Sequence, residues 1–263
     1  MLIQAQEWQG AGHKAGPLTA SWSAMQWASL VGTILLAVGL LALILIALRR
    51  HSRYKAVGVV SESELADIKE EIAKAEQKTT GEVMVVLLER SDRHPAAYWL
   101  AAISMLFVGS LVLGAWLPWH QPGLLLLVQL GLAAFGFALT KGLPDLHSRF
   151  ISQARAQEMV DEQAIQEFHR LELRETKGRT GILLMVSLLE HRVVVLADEG
   201  INSKVDENTW SQVQQGILGH IRGGQMGQGL LEGVRTSGAV LAEHFPGDGG
   251  SEDLPNVVDV RHE

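Results

Sequence analysis

The sequence predicts an α/β protein in which helices cover both faces of a sheet, together with three transmembrane helices. The sheet is predicted by two short runs rich in Val, Ile and Leu, residues 182–189 and 193–197. Neither run alternates apolar with polar residues, which is typical of strands buried on both faces. The transmembrane helices are predicted by three long apolar blocks without a charged residue.

The two apolar runs are joined by the polar turn Glu190-His191-Arg192, a pattern that predicts a β-hairpin. A further apolar run at 82–89 has the length and composition of another buried strand. Two of the apolar blocks separate it from the hairpin. Because two membrane crossings return the chain to its starting side, we expect this run to join the hairpin in one sheet.

The helices that would cover the sheet are predicted from caps and apolar periodicity. The stretch from Ser61 to Glu64 has the form of a capping box, and an amphipathic helix is expected from there to about Lys78. A second helical stretch is predicted from about 145 to 177. Its expected packing residues are Phe150, Ala154, Ile165, Phe168 and Leu171.

Two more helices complete the predicted domain. Either Ser203 or Asp206 is expected to cap the first of them, and Gly223-Gly224 is expected to end it. The apolar stripes are Trp210, Val213, Ile217 and Ile221 in the first helix, and Met226, Leu230, Val234, Leu241 and Phe245 in the second.

The predicted domain therefore comprises residues 56–91 and 143–245, interrupted by two of the apolar blocks. Residues 1–26 are polar and without periodicity, and residues 246–263 are acidic and rich in Gly and Pro. Both tails are expected to be disordered. Met25 is an alternative start of the chain.

The apolar blocks are residues 27–48, 98–117 and 123–140. Each is close to the roughly 20 residues that a helix needs to cross a bilayer, so we expect three spans. A buried helix of a soluble protein is the alternative for the third and shortest block. Its pairing with the second block favours a span.

Positive charges near the ends of the blocks predict the orientation, because cytoplasmic loops carry an excess of Lys and Arg. They follow the first and third blocks, whereas the link between the second and third has none. This distribution places the N-terminus outside and the domain in the cytoplasm. The residues expected at the membrane surface, beside anionic lipids, are Arg49, Arg50, Arg53, Lys55, Lys141 and Arg149.

Composition excludes some classes of function. The formal net charge is −7 and the polar regions carry no basic stripe, so a nucleic-acid partner has no electrostatic support. The absence of Cys excludes disulfides and thiolate metal sites.

Asp198, Glu199, Asp206 and Glu207 form a candidate metal site between a predicted strand and a predicted helix. Carboxylate oxygens suit Ca²⁺ or Mg²⁺. The alternative is that Asp206 caps the helix and the other side chains stabilise its dipole or are solvated. Because the spacing matches no defined calcium loop, the second interpretation is favoured.

His169, Arg170 and Arg174 form a candidate phosphate-binding patch, with His169 as acid or base. A solvated helix face explains the same residues. The sequence contains neither a Gly-rich phosphate loop followed by a helix with Lys nor a Ser-His-Asp spacing. No catalytic residue is therefore predicted.

Three strings in order resemble the TPM domain family: Thr80-Gly81-Glu82-Val83, residues 179–201, and residues 221–229. The resemblance covers roughly residues 60–245 outside the spans and is strongest to a bacterial membrane branch with a transmembrane hairpin inserted in the domain. It implies an α/β/α sandwich at the inner membrane. Members of the family have been linked to acid phosphatase activity and calcium binding, to assembly or repair of membrane complexes, and to receptor modulation.

Relatives typically carry Gly-Tyr-Gly-Leu-Glu where this chain has Asp-Glu-Gly-Ile-Asn at 198–202, and the lost Tyr and Glu argue against an inherited metal or phosphatase site. We therefore expect a cytoplasmic TPM domain that binds or regulates a membrane-associated protein partner without catalysis and without a required cofactor. The alternative is a phosphatase assisted by Ca²⁺ or Mg²⁺.

Overall fold

The computed structural model describes residues 56–114, 122–247 and 258–261, which belong to one compact unit, Ile46–Glu263. The predicted tail 1–26 and the predicted span 27–48 lie outside the described residues, as do Arg49, Arg50, Arg53 and Lys55. In chain order the elements are α1 (Ala56–Val59), α2 (Glu62–Glu76), β1 (Glu82–Leu88), α3 (Pro95–Gly114), α4 (Pro122–Gly142), α5 (Pro144–Arg149), α6 (Gln153–Arg170), a 3-10 helix (Leu173–Glu175), β2 (Gly181–Ser187), β3 (Arg192–Ala197), α7 (Glu199–Asn202), α8 (Glu207–Arg222), α9 (Met226–His244) and β4 (Val258–Arg261).

The strands form one mixed sheet in the order β3-β2-β1-β4. β1 and β2 pair in parallel along their whole length, with Val83 opposite Ile182, and β2 and β3 form the antiparallel hairpin. The prediction that the strand before the apolar helices joins the later hairpin is therefore confirmed. α3 and α4 are an insertion between two neighbouring strands of one sheet.

Helices cover both faces of this sheet, as the absence of alternation predicts. On one face Val83, Val85 and Leu87 of β1 belong to a core that includes buried residues of α2, α8 and α9. On the other face Met84, Val86 and Leu88 pack in a core with residues of α6. Every residue of β1 and β2 is buried, so the two central strands have no face in contact with water.

The capping box at the start of α2 is confirmed. The Ser61 side chain accepts a hydrogen bond from the Glu64 backbone N–H, and the Glu64 carboxylate accepts one from the Ser61 N–H at 2.8 Å. Two of the N–H groups that a helix start leaves unpaired are satisfied in this way. The helix buries Ile68 and Ile72 against the sheet.

We expect Ser61→Ala to lower the free energy of unfolding by about 1 kcal/mol, because the first turn of α2 loses a cap. The measurement is urea unfolding of the purified full-length protein in detergent. Ser211→Ala, at an exposed serine of α8, is the matched control and is expected to have little effect. Equal midpoints for the two variants would contradict the capping interpretation.

The predicted packing face of the 145–177 stretch is partly wrong. The stretch is broken at 150–152, where Ser152 caps α6 by accepting a hydrogen bond from the Arg155 N–H. The residues that face the sheet are Ala156, Val160, Ala164 and Phe168, whereas Ala154 and Ile165 are exposed. These four residues recur every four positions, and two of them are alanines, so a search for large apolar residues misses the stripe.

Four residues of the tail that was expected to be disordered, 258–261, form strand β4 instead. β4 is an outer strand of the sheet and pairs in parallel with β1, with Val258 opposite Val85. Arg261 donates two hydrogen bonds to the Glu167 carboxylate at 2.9 and 3.0 Å, and Asp259 pairs with Arg170. The strand is ordered by contacts distant in sequence, which the acidic, Gly-rich and Pro-rich local composition does not reveal.

The inserted helices α3 and α4 pack against each other in antiparallel orientation. Tyr98 near the start of α3 contacts Phe137 of α4, with ring centroids 5.6 Å apart, and Gly136 lies against Met105. Gly109, further along α3, lies against Leu132. Both helices are long and apolar enough to cross a membrane by length and composition, and most of their residues are not buried by the protein.

Candidate functional site

The carboxyl ends of β1 and β2 meet at one edge of the sheet because the two strands are parallel. Open α/β sheets tend to bind ligands at such an edge. A cluster of hydrogen-bonded polar side chains lies there, from the last residue of β2 and from the loops that follow the two strands. We call it the junction network, and its members are Ser91, Asp92, His94, Ser187 and Glu190.

Glu190 is the centre of the junction network, and its side chain has no solvent exposure. One carboxylate oxygen lies 2.7 Å from His94 Nε2, and the other accepts a hydrogen bond from the Ser187 hydroxyl. The Ser91 backbone N–H donates to both oxygens, at 3.2 and 3.3 Å. The carboxylate is therefore fully hydrogen-bonded, as a buried charge requires.

His94 connects this network to the inserted helices, since it directly precedes the first residue of α3. Its backbone is in the left-handed region, with φ of 43°. That conformation is uncommon outside glycine, although His adopts it more readily than most residues. The His94 N–H donates to Asp92 Oδ2 at 3.2 Å, and its ring bonds Glu190, so contacts on both sides hold the turn.

The second inserted helix returns to the same place. His147 on α5, the short helix after α4, stacks on Tyr98 with ring centroids 4.4 Å apart. Its Nε2 lies 3.4 Å from the His94 carbonyl oxygen. Both ends of the α3–α4 pair are thus fastened to the carboxyl edge of the sheet, around Glu190.

Burial and hydrogen bonding oppose each other at Glu190. Burial raises the pKa of its carboxyl, but hydrogen bonds from His94 and Ser187 favour the charged form and hold the pKa below its usual value. At His147 burial dominates and lowers the pKa of the imidazole. The folded protein therefore prefers a charged Glu190 and a neutral His147.

These two shifts predict a loss of stability on acidification in two phases. As pH falls below about 6.5, the unfolded chain protonates His147 before the folded chain does, so stability begins to fall. The contribution of Glu190 is present above about 4.5, its unfolded value, and is lost as pH falls through the folded pKa. Melting temperatures of the full-length protein in detergent, measured from neutral to acid pH, check this.

Two variants separate the phases. His147→Gln is expected to remove the phase that begins near neutral pH, and Glu190→Gln the acid phase. His169→Gln, at an exposed histidine of α6, is the control and is expected to retain both phases. A profile that His147→Gln leaves unchanged would contradict the assignment of the first phase.

The predicted metal ligands lie at the opposite edge of the sheet. Because β3 runs antiparallel to β2, its last residue Ala197 is opposite Ile182 at the beginning of β2. Asp198 and Glu199 follow directly and therefore lie at the amino ends of β1 and β2. The ligand-binding rule for carboxyl ends, on which the prediction drew, does not apply to this edge.

The four carboxylates do not form a cluster: two of them cap helices, one forms an ion pair and one is exposed. Asp198 and Asp206 cap α7 and α8, with backbone N–H donors at 2.8 and 2.7 Å, and Glu199 pairs with Arg179 at 2.5 Å. Glu207 is exposed in the first turn of α8. Among the described residues no three His, Cys, Asp or Glu side chains converge to hold a metal. One Asp198 oxygen is buried without a hydrogen-bond partner and could act as a metal ligand. The metal site therefore stays a prediction.

The predicted phosphate patch on α6 is partly neutralised. Arg170 donates to Glu167 at 2.8 Å and also pairs with Asp259 of β4. His169 and Arg174 are exposed nearby, on α6 and the 3-10 helix. His169 and Arg174 are therefore accessible to a ligand, whereas the Arg170 guanidinium is already paired with two carboxylates.

A pair of adjoining cavities opens beside the junction network, with volumes of about 430 and 710 Å³. Both are lined by His191, Arg192 and Arg222, from the β2–β3 turn and the end of α8. Arg149 at the end of α5 lines the smaller one. Of the residues expected at the membrane surface, Arg149 and Lys141 are described, and both are exposed near the base of the inserted helices.

Sequence reasoning missed the junction network and the arginines of these cavities. Glu190 and Arg192 were interpreted only as turn residues, and His94 was not singled out. A signal was available, since the loops after two parallel strands must meet at one edge of the sheet. His94 and Glu190 are 96 residues apart in the sequence, so only the pairing of β1 with β2 shows that they are neighbours.

The fold is that of an α/β domain: helices enclose a mixed sheet, and polar residues and cavities lie at the carboxyl ends of its parallel strands. The chain contains a TPM domain: residues 149–240 match the family model of that description. The resemblance to the TPM domain family is therefore confirmed, and the matched range contains the second and third of the three strings. The assignment to the membrane branch with an inserted hairpin stays a prediction.

Among solved structures, the chain is similar to the BA42 protein from the psychrophilic bacterium Bizionia argentinensis, determined by NMR. The two are 21% identical, with a TM-score of 0.49, and the similarity covers 77% of this chain and 95% of that chain. No curated protein matches the chain.

Proposed function

We propose that the protein is an inner-membrane protein whose cytoplasmic TPM domain is a non-catalytic binding or regulatory module for a membrane-associated protein. The apolar exposed surface of α3 and α4 carries this proposal. Phe107, Leu111 and Leu127 are 69%, 82% and 69% exposed. Soluble monomers rarely expose a continuous apolar surface of this extent, and a bilayer would cover it.

The proposed topology follows from where the two helices begin and end. Both ends lie at the same edge of the sheet, so two crossings leave the whole domain on one side. From composition alone we also propose a third span at residues 27–48, which lie outside the described residues; a third crossing would leave the N-terminus outside. Lys141 and Arg149, beside the end of α4, support a cytoplasmic domain through the bias of positive charge toward that side.

The absence of catalysis is proposed from the environment of the polar side chains. Ser187 is fully buried and donates its hydrogen to Glu190, while His94 bonds the same carboxylate and not the serine. A nucleophile needs a base within hydrogen-bond reach and access to substrate. Ser187 has the Glu190 carboxylate within reach but no access to substrate, because it is fully buried. The role of the junction network is to fix the inserted helices to the domain.

A phosphate-ester assay on the full-length protein in detergent, with Ca²⁺ or Mg²⁺, tests the proposal. We expect no hydrolysis above the blank for the wild type or for Asp198→Ala. Hydrolysis that is lost in Asp198→Ala and retained in Glu162→Ala, an exposed glutamate of α6, would contradict it. That result would establish the alternative, a metal-assisted phosphatase, which the TPM domain and the unpartnered Asp198 oxygen support.

The binding role is tested in intact membranes with a photo-crosslinking side chain at Glu162 of α6 or Ser211 of α8, two exposed positions of the domain, and with buried Val160 as the control. We expect one discrete protein adduct from at least one exposed position and none from Val160. The absence of a protein adduct at both exposed positions would contradict a protein partner on these two helices of the domain.

A further inference from the structure

We propose that the two adjoining cavities, which we call the arginine pocket, bind the phosphate group of an anionic phospholipid. This inference rests on the proposed membrane location of α3 and α4. The pocket is defined by Arg149, Arg192 and Arg222 around the β2–β3 turn. Both cavity volumes lie within the range of about 300–1,000 Å³ that is typical of small-molecule sites.

In the part of the chain that the structure describes, the three arginines differ from most others in having no carboxylate partner. Within the described residues, none of them lies within 4.0 Å of an Asp or Glu oxygen in an ion pair. The arginines that do form such pairs are Arg155, Arg170, Arg179, Arg235 and Arg261. Positive charge is therefore left available at the pocket although the whole chain is acidic.

Arg192 is held in place by neutral groups. Its guanidinium donates to the Gln153 carbonyl oxygen at 3.2 Å and to the Gln157 side chain, so its position is fixed while its charge is not cancelled. The acidic lining residues are Glu190, whose oxygens are occupied by the junction network, and Asp145. Guanidinium groups bind phosphate through paired hydrogen bonds, which makes phosphate the matching ligand group.

The position of the pocket favours a lipid over a soluble phosphate. Arg149 lies on α5, directly after α4, and Glu190 in the pocket wall bonds His94, directly before α3. The pocket is thus at the base of both inserted helices, where the head groups of the cytoplasmic leaflet would lie. Leu189 and Leu218 also line it and provide apolar contacts for the glycerol and upper acyl chain.

The test uses full-length protein in phosphatidylcholine nanodiscs with or without phosphatidylglycerol, and counts the phospholipid molecules that remain bound in native mass spectrometry. The variant Arg149→Gln/Arg222→Gln removes two arginines without a hydrogen-bond partner among the described residues, so its fold should be retained. We expect the wild type to retain phosphatidylglycerol in preference to phosphatidylcholine and the variant to lose that preference by about tenfold.

The matched control, Arg155→Gln/Arg235→Gln, removes two exposed arginines outside the pocket lining and is expected to keep the wild-type preference. Equal retention of phosphatidylglycerol by the wild type and the pocket variant would overturn the proposal. Inorganic phosphate that displaces the lipid fully at low concentration would overturn the assignment to a lipid. Release of the wild-type chain from membranes by alkaline washing would instead refute the membrane location itself.

Discussion

Glu190→Ala is expected to lower the free energy of unfolding by about 3–5 kcal/mol, as breaking a buried pair commonly does. The substitution leaves the His94 ring, the Ser187 hydroxyl and the Ser91 N–H without their shared acceptor. Each buried polar group left unpaired costs about 1–3 kcal/mol. The substitution removes the His94–Glu190 contact, which holds the start of α3 against the sheet.

Urea unfolding of the full-length protein in detergent, followed by circular dichroism, measures this loss. Glu162→Ala removes an exposed glutamate of α6 and is expected to change stability by no more than about 0.5 kcal/mol. We also expect faster proteolysis of the 89–94 loop in Glu190→Ala, because the left-handed turn at His94 loses its support. If both variants unfold at the same urea concentration, the junction network does not hold the domain together.

Leu183→Ala and Leu184→Ala are each expected to destabilise the domain by about 2–5 kcal/mol. The two residues are neighbours in β2 and point to opposite faces of the sheet, and both are completely buried. Leu183 packs in the core with α6, and Leu184 in the core with α2, α8 and α9. Large losses at both positions are the signature of a sheet covered on both faces.

Leu111→Ala is the control for this pair, because Leu111 is exposed on α3 and detergent replaces the lost contacts. It is expected to change the unfolding midpoint little. A large loss at only one of Leu183 and Leu184 would mean that one layer of helices contributes little to stability, contrary to the packing described above.

The strands and most helices could be predicted because their signals are local. Residues 83–88 and 182–186 are continuous apolar runs, and such runs need cover on two faces. Ser61 with Glu64, and Asp206 before α8, mark helix starts through hydrogen bonds to residues within the first turn. The placement of β1 and β2 in one sheet followed from the even number of apolar blocks between them, whereas their parallel direction is seen only in the structure.

The junction network and the arginine pocket could not be predicted in the same way. Glu190 and His94 are typical loop residues in their local context, and they come together only through the register of β1 and β2. Strand β4 is a similar case, since Asp259 and Arg261 find their partners on α6. The candidate metal residues had a local signal, but that signal equally describes the caps of α7 and α8.

The proposed function depends most on α3 and α4 crossing the membrane once each, with the domain on the cytoplasmic side. The chain has no cysteine, so single cysteines can be placed without background. Ser63→Cys and Ser211→Cys lie on exposed sites before and after the inserted helices, and His120→Cys lies between them. The measurement is labelling in intact cells with a thiol reagent that does not cross the membrane. We predict labelling at 120 alone, and labelling at 63 and 211 only after permeabilisation. Labelling of 63 and 211 from opposite sides, or equal protection of all three, would contradict the account.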